Sequence, residues 1–177
     1  MKFNTKAIHG GQQDIDPAYG SVMSPIYQTS TFSQKTPGSH KGFEYSRSGN
    51  PTRSALEKSI ASIENGKHGL AFASGLAAID AIIKTLKPGD EVISTNDLYG
   101  GTYRLFNTIY KDFGIKFHFI GMQSMDTIES YITKNTKLIW AETPTNPMMN
   151  VVDIEAISKI AKKHKVLLAV DNTFATA

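Results

Sequence analysis

Residues 138–171 decide the fold. They run Leu138-Ile139-Trp140-Ala141, then Glu142-Thr143-Pro144-Thr145-Asn146-Pro147, then a helical stretch from Asp153 to His164, then Val166-Leu167-Leu168-Ala169-Val170-Asp171. The outer two runs are apolar and of strand length. Between them Ile154, Ile157, Ile160 and Ala161 recur at helical spacing and are expected to face inward. Strand, helix and strand in that order make a parallel βαβ unit.

The same alternation continues upstream. Asn50-Pro51 opens a helix with Pro at a tolerated first-turn position, and Leu56, Ile60 and Ile63 share one face of it. Leu70-Ala71-Phe72-Ala73 reads as a strand. Ser74-Gly75 turns into a helix carrying Ala78, Ile79, Ile82, Ile83 and Leu86, which Lys87-Pro88-Gly89-Asp90 breaks. Glu91 to Thr95 and Lys116 to Ile120 read as strands, and Thr102 to Asp112 and Met125 to Ile132 as helices. The fold class is α/β, an open, mainly parallel sheet with helices on both faces. Ligands of such sheets bind beyond the carboxyl ends of the strands, here Ser74-Gly75, Tyr99, Glu142 to Asn146, and Asp171.

Residues 1–50 differ. They are rich in Gly, Ser, Thr, Gln and Pro and show no sustained helical period, and Pro25 to Phe32 reads as extended chain. A long irregular segment on a compact domain is functional or lies on another surface. The expected organisation is an arm over 1–50 reaching a neighbouring subunit, and an α/β portion over 51–177. The last strand ends at the ligand side of the sheet, a poor place for a domain to finish, so a fragment of a longer protein is expected.

Bulk properties narrow the function classes. The chain has 177 residues, enough for one domain with a core. A net charge of +3 is too small to argue for nucleic acid, and the absence of cysteine removes disulfide and thiolate chemistry. Met1 to Lys6 has no apolar stretch behind it, and no apolar run approaches bilayer length. A cytoplasmic protein without membrane contact is the expectation. His9, His40, His68, His118 and His164 are dispersed, without metal-ligand spacing, and no metal is expected. Neither G-x-G-x-x-G nor G-x-x-x-x-G-K-[ST] occurs, which lowers the dehydrogenase and P-loop readings.

The candidate site residues each have a plain alternative. Asp171, at the tip of a buried strand, either caps the following turn or holds a cation, such as a protonated heterocyclic nitrogen. Ala71 to Ala78 is a strand, a small-residue turn and a helix start. It is an ordinary βα turn or a phosphate cradle, with Gly75 permitting close approach. Tyr45 and Arg47, two apart in extended chain, point the same way and suit a phosphate; otherwise they are a packed Tyr and a surface Arg. Tyr99 precedes Gly100-Gly101, where it can lie flat on an aromatic ring, with Arg104 one helical turn on. A core Tyr and a solvated Arg fit equally well. Glu142 to Pro147 is a rigid loop in which Asn146 offers an amide.

Taken in order, Tyr45-x-Arg47-x-Gly-Asn-Pro-Thr, Ala-Ser-Gly75-Leu, Tyr99-Gly-Gly-Thr, Glu142-Thr-Pro-Thr-Asn146-Pro and Val-Asp171-Asn-Thr-Phe closely resemble the Cys/Met-metabolism pyridoxal-phosphate (PLP) enzymes. That family includes cystathionine γ-synthase, cystathionine γ-lyase and methionine γ-lyase, and the resemblance covers nearly the whole chain. It implies the N-terminal part of an aspartate-aminotransferase-like PLP domain. Tyr45 and Arg47 would bind the cofactor phosphate of a neighbouring subunit. Ser74 and the Gly75 and Leu76 N–H groups would bind the phosphate within the subunit. Tyr99 would stack on the ring, assist proton transfer as the catalytic residue and face the substrate, with Arg104 on the substrate side. Asn146 would address the ring 3-hydroxyl, Asp171 the ring nitrogen, and Thr173 would lie close to the ring. The resemblance also implies an amino-acid substrate reacting at Cγ and a homotetramer built as a dimer of dimers. The family's Schiff-base lysine lies in a Ser-x-Thr-Lys motif beyond the Asp-Asn-Thr segment, and no such motif occurs in this chain. The alternatives are methionine γ-lyase, a sulfhydrylase or cystathionine β-lyase, and, in a different class, a catalytically silent binding or assembly module.

Overall fold

Two helices, α1 (Phe3–His9) and α2 (Pro51–Ile63), belong to the first of two compact units, Met1–Phe72 and Ala73–Thr176. The structure, a computed structural model, describes residues 1–12 and 18–176, so the part of the expected arm at 13–17 lies outside the described residues.

In the first unit the Asn-Pro helix start forms as its chemistry dictates. The Asn50 side chain accepts the Thr52 N–H at 2.8 Å and Pro51 takes the first turn. The same start anchors the preceding segment. Asn50 Nδ2 donates to the Tyr27 carbonyl at 3.1 Å, and Tyr27 N–H donates to Thr52 Oγ1 at 2.9 Å. The expectation of no helix before residue 50 is corrected by α1, which packs on α2 although none of its residues is buried. Gly10-Gly11 makes that approach possible. A Cβ at Gly10 would lie 2.9 Å from Ser62 Oγ and one at Gly11 2.4 Å from the Ala55 carbonyl oxygen, both in α2, and Gly11 sits at φ 78°. Leu56 and Ile60, on the shared face of α2, are exposed. The strand expected at Leu70 to Ala73 does not form. A strand needs a ladder partner, and among the described residues this run has only the Ala71 N–H, bonded to Glu57 Oε1 at 3.0 Å.

The second unit is the α/β layer. Strands β1 (Glu91–Thr95), β2 (Lys116–Ile120), β3 (Thr136–Glu142) and β4 (Leu167–Asp171) pair in the order β2-β1-β3-β4, every pairing parallel. Its α-helices are α3 (Gly75–Ile83), α4 (Gly100–Arg104), α5 (Met125–Ser130) and α6 (Ile154–His164). Alternation along the strands sends side chains to two separate cores. Val92, Leu138 and Trp140 pack with Ile79 and Ile83 of α3 and with Leu105 and Phe106. Ile93, Ile139 and Ala141 pack with Ile128 of α5 and with Ile157, Ile160 and Ala161 of α6. Helices therefore cover both faces, as the apolar strands require. Ile154, expected inward, is exposed at the solvent edge of α6.

One helix shifts for a physical reason. The helix expected over Thr102 to Asp112 starts earlier and changes type, α4 running into a π-helical stretch at Leu105–Tyr110. The wider turn buries Leu105, Phe106 and Tyr110 together. α6 ends at His164, as expected, and the following Lys165 adopts φ 57° and returns its N–H to the last turn.

Phe106 is fully buried, stacked on Phe117 with centroids 4.6 Å apart and edge-on to Trp140 at 5.5 Å. Phe106→Ala is expected to cost about 3–5 kcal/mol, read as a lowered urea midpoint at unchanged m-value. A loss below about 1 kcal/mol would mean that the π-helical stretch collapses to fill the space.

Candidate functional site

The carboxyl ends of β1, β3 and β4 and the start of α3 carry most of the candidate site residues. At the β1–β3 edge the backbone ladder hands over to a side chain: Thr95 Oγ1 donates to the Trp140 carbonyl at 3.3 Å and accepts the Glu142 N–H at 3.0 Å. Two turns leave from this point. One runs from Asp97 to Tyr99 and into α4, and the other from Thr143 to Asn150.

The Glu142 carboxylate joins them. Tyr99 N–H donates to both oxygens, at 3.1 Å and 2.9 Å, and Asn146 N–H donates to Oε1 at 3.0 Å. Glu142 is only 4% exposed and is paired in register with Asp171 on β4. Burial, together with the nearby Asp171 and Asp97 charges, pushes its carboxyl up from the usual range, against the pull of the two N–H groups. Asp97 secures the second turn. Its Oδ2 accepts from Thr145 Oγ1, from the Met148 N–H at 3.2 Å and from Asn150 Nδ2 at 3.3 Å.

Tyr99 is 49% exposed, its ring folded back over Gly101. A Cβ at Gly101 would lie 2.3 Å from Tyr99 Cε1, so glycine is what permits this ring position. Arg104 is exposed, and among the described residues its side chain has no ion pair.

At α3, Ser74 Oγ accepts the Ala77 N–H at 3.1 Å. The N–H groups of Gly75 and Leu76 have no acceptor among the described residues, and a Cβ at Gly75 would meet nothing within 4 Å. Of its two sequence readings, Asp171 shows the cap. Oδ1 caps the next turn, accepting Thr173 N–H at 3.2 Å and Thr173 Oγ1 at 2.5 Å, while Oδ2 accepts no hydrogen bond among the described residues. Asn172 Nδ2 ties the strand end to the Thr143 carbonyl at 2.5 Å.

Ser74, Gly75, Leu76, Tyr99, Arg104, Asn146, Asp171 and Thr173 thus all lie in the second unit, and Tyr45 and Arg47 in the first. The extended chain expected for Tyr45 to Arg47 is corrected. Tyr45 forms an isolated bridge with Thr31, and 46–48 is a turn. The two side chains still meet, with the Arg47 guanidinium carbon 5.1 Å from the Tyr45 ring centroid. Arg53 braces that turn through the Ser46, Arg47 and Ser48 carbonyls. Glu142 and Gly101 were read only as parts of the strand-end segments, with no role of their own, and the bonding role of Asp97, two residues beyond β1, was missed.

An open parallel sheet with polar turns clustered beyond its strand ends is a ligand-binding α/β scaffold. Residues 4–177 match the model of the Cys/Met metabolism PLP-dependent enzymes, and the chain belongs to that family. It is 47% identical over 174 residues to a cystathionine beta-lyase of Coxiella burnetii, covering 98% of this chain and 45% of the relative. It is 49% identical over 174 residues to a probable cystathionine gamma-synthase of Herpetosiphon aurantiacus, covering 98% and 54%. Among solved structures, cystathionine gamma-lyase from Lactobacillus plantarum complexed with L-serine superimposes with a TM-score of 0.93 at 46% identity, covering 99% of this chain and 46% of that one. The chain spans about half the length of the curated relatives it matches.

The donor set suits PLP. Unbonded first-turn N–H groups in front of an open glycine suit a phosphate, and an uncommitted carboxylate oxygen suits a protonated ring nitrogen. No helix among the described residues is long and apolar enough to cross a membrane.

The raised carboxyl of Glu142 has a stability consequence. A group whose folded-state value lies above its unfolded one contributes stability that is fully present below the unfolded value and is lost as pH rises through the folded one. Glu142→Gln is therefore expected to flatten the fall in stability between the ordinary glutamate range and neutrality, measured as urea midpoints across that window. An unchanged slope would place the titration elsewhere.

Proposed function

We propose that the protein to which this chain belongs is a PLP-dependent trans-sulfuration enzyme. It acts at Cγ of a homoserine- or cysteine-derived amino acid as a cystathionine γ-synthase or γ-lyase. The observation that carries the reading is the convergence of Tyr99, Asn146 and Asp171 beyond the strand ends, joined through Glu142 and its register partner.

The phosphate is held by Ser74 and the Gly75 and Leu76 N–H groups, where the positive end of α3 faces it. Asp171 Oδ2 keeps the ring nitrogen protonated, while Oδ1, fixed by Thr173, holds the carboxylate in orientation and Thr173 near the ring. Asn146 addresses the 3-hydroxyl with a side-chain amide set by its anchored backbone. Bound PLP supplies an electron sink for the bonding pair released at the substrate α-carbon. Tyr99 covers the ring face and moves a proton at its phenolic oxygen. Arg104, an exposed cation one helical turn from Gly100, meets the anionic substrate.

Tyr45 and Arg47 serve the phosphate of a neighbouring subunit, which makes 1–50 an arm between subunits and the active assembly an oligomer, a dimer of dimers. The enzyme is cytoplasmic. A β-lyase is the second reading, favoured by the identity to the Coxiella burnetii relative.

Full-length enzyme offered cystathionine, or an activated homoserine ester with cysteine, is expected to turn over at least one. Products of Cγ cleavage or replacement support the first reading, products of Cβ cleavage support the second, and no reaction with any sulfur amino acid overturns both. Arg47→Ala is expected to weaken PLP binding by about 1.5–3 kcal/mol, the worth of a charge-assisted contact. Mixing Arg47→Ala subunits with subunits lacking the cofactor-binding lysine should restore activity through one intact site per mixed dimer. Absence of rescue with mixed dimers shown to form would put Arg47 in its own subunit's site. Gly101→Ala should lower turnover by about 10²-fold by moving the Tyr99 ring, with thermal stability little changed.

A further inference from the structure

We propose that Glu142 is a positioning residue for the cofactor: its buried carboxylate clamps the Tyr99 turn and the Asn146 loop to the end of β3 and so sets how the Tyr99 ring and the Asn146 amide meet the ring they contact. This rests on the PLP reading given above.

The argument is one of connectivity. Tyr99 and Asn146 lie 47 residues apart on turns that leave different strands. Their side chains have no hydrogen bond to each other or to any other group among the described residues, so what fixes them is their backbone. Both backbone N–H groups end on the same carboxylate, Tyr99 on both oxygens and Asn146 on Oε1. The carboxylate itself has little freedom. Glu142 is 4% exposed, its own N–H is bonded to Thr95 Oγ1, and its register partner is Asp171. One side chain thus spaces two groups that would act on one planar ring, Tyr99 on its face and Asn146 at the 3-hydroxyl, and strand pairing sets the third, Asp171 at the nitrogen, beside them.

Charge makes the clamp one-sided. A carboxylate is an acceptor at both oxygens, so either turn can donate to it without a flip. A glutamine offers one acceptor oxygen, and its NH₂ group must point at one of two N–H donors. A purely structural buried Glu would tolerate that change with a loss of stability alone. A positioning Glu would pass the misfit to the cofactor.

The experiment uses full-length enzyme, wild type and Glu142→Gln, reconstituted with PLP. Expected for Glu142→Gln are an apparent Kd for PLP raised about tenfold, the effect of one lost hydrogen bond, and a weakened circular dichroism band of the bound cofactor at saturation. A fall in kcat by about 10²-fold with KM nearly unchanged is also expected. A cofactor band and Kd equal to wild type would overturn the positioning role, whatever happens to thermal stability. If wild type itself binds no PLP, the functional reading fails instead, so the two failures are distinct. Should Glu142→Gln not fold, Glu142→Asp keeps the charge at shorter reach and is expected to disturb the same band. If neither variant folds, hydrogen exchange in the wild-type apoenzyme decides. Slow exchange at the Tyr99 and Asn146 amides supports the clamp, and exchange at the rate of free chain at both overturns it.

Discussion

A carboxylate withdrawn from water at the end of a strand must be given donors, and that requirement shapes the ligand end of this sheet. Glu142 is almost fully buried, and leaving its charge without partners would cost several kcal/mol. Its partners are the backbones of two turns that would otherwise be independent, one leaving β1 and one continuing β3. Once those turns are drawn in, the other contacts follow. Thr95 closes the ladder between the strands, Asp97 gathers Thr145, Met148 and Asn150, and Gly101 clears the space for the Tyr99 ring.

Support for this constraint comes from the two cores. Val92 and Ile93, or Ile139 and Trp140, are adjacent in sequence yet belong to opposite faces of the sheet. The strands are therefore gripped from both sides, and their ends are fixed in register. Glu142 and Asp171 stand side by side because β3 and β4 pair without a slip from Leu138 and Leu167 to their last residues. A one-residue slip would turn one of the two carboxylates to the other face. Packing far from the turns thus determines which charges meet at them.

The fold was legible wherever a run was both apolar and long enough to choose its own partner. β1 and β2 were read to the residue, and α6 was read from the helical spacing of Ile157, Ile160 and Ala161, one residue early at its start, where Asp153 is the cap. The reading failed where structure depends on something outside the segment. Leu70 to Ala73 has strand composition but no ladder partner, and α1 forms on α2 without a buried residue of its own. The π-helical turn after Arg104 answers the demands of a core built from Phe117 and Trp140, which no local period announces. In the site, ring-facing candidates such as Tyr99 and Asp171 stood out by residue type. Glu142 was read only as the opening of a rigid loop, because nothing local shows that the donors to its carboxylate come from two different turns.

The pairing of Glu142 with Asp171 also accounts for a choice the strand tip would otherwise leave open. Burial raises the proton affinity of Glu142, and the charge of its register partner Asp171 adds to that rise. Glu142 spends its oxygens on backbone N–H groups, which offset part of that cost. Asp171 spends one oxygen on Thr173 and holds the other free. The free oxygen is where a cation does the most: beside Asp171 it neutralises the nearer charge and relieves the buried one behind it. A protonated ring nitrogen fits that position by charge and by its single N–H donor. In the proposed site the same cation would lower the cost of the carboxylate that fixes the turns around it, which would couple cofactor binding to the order of those turns in free energy.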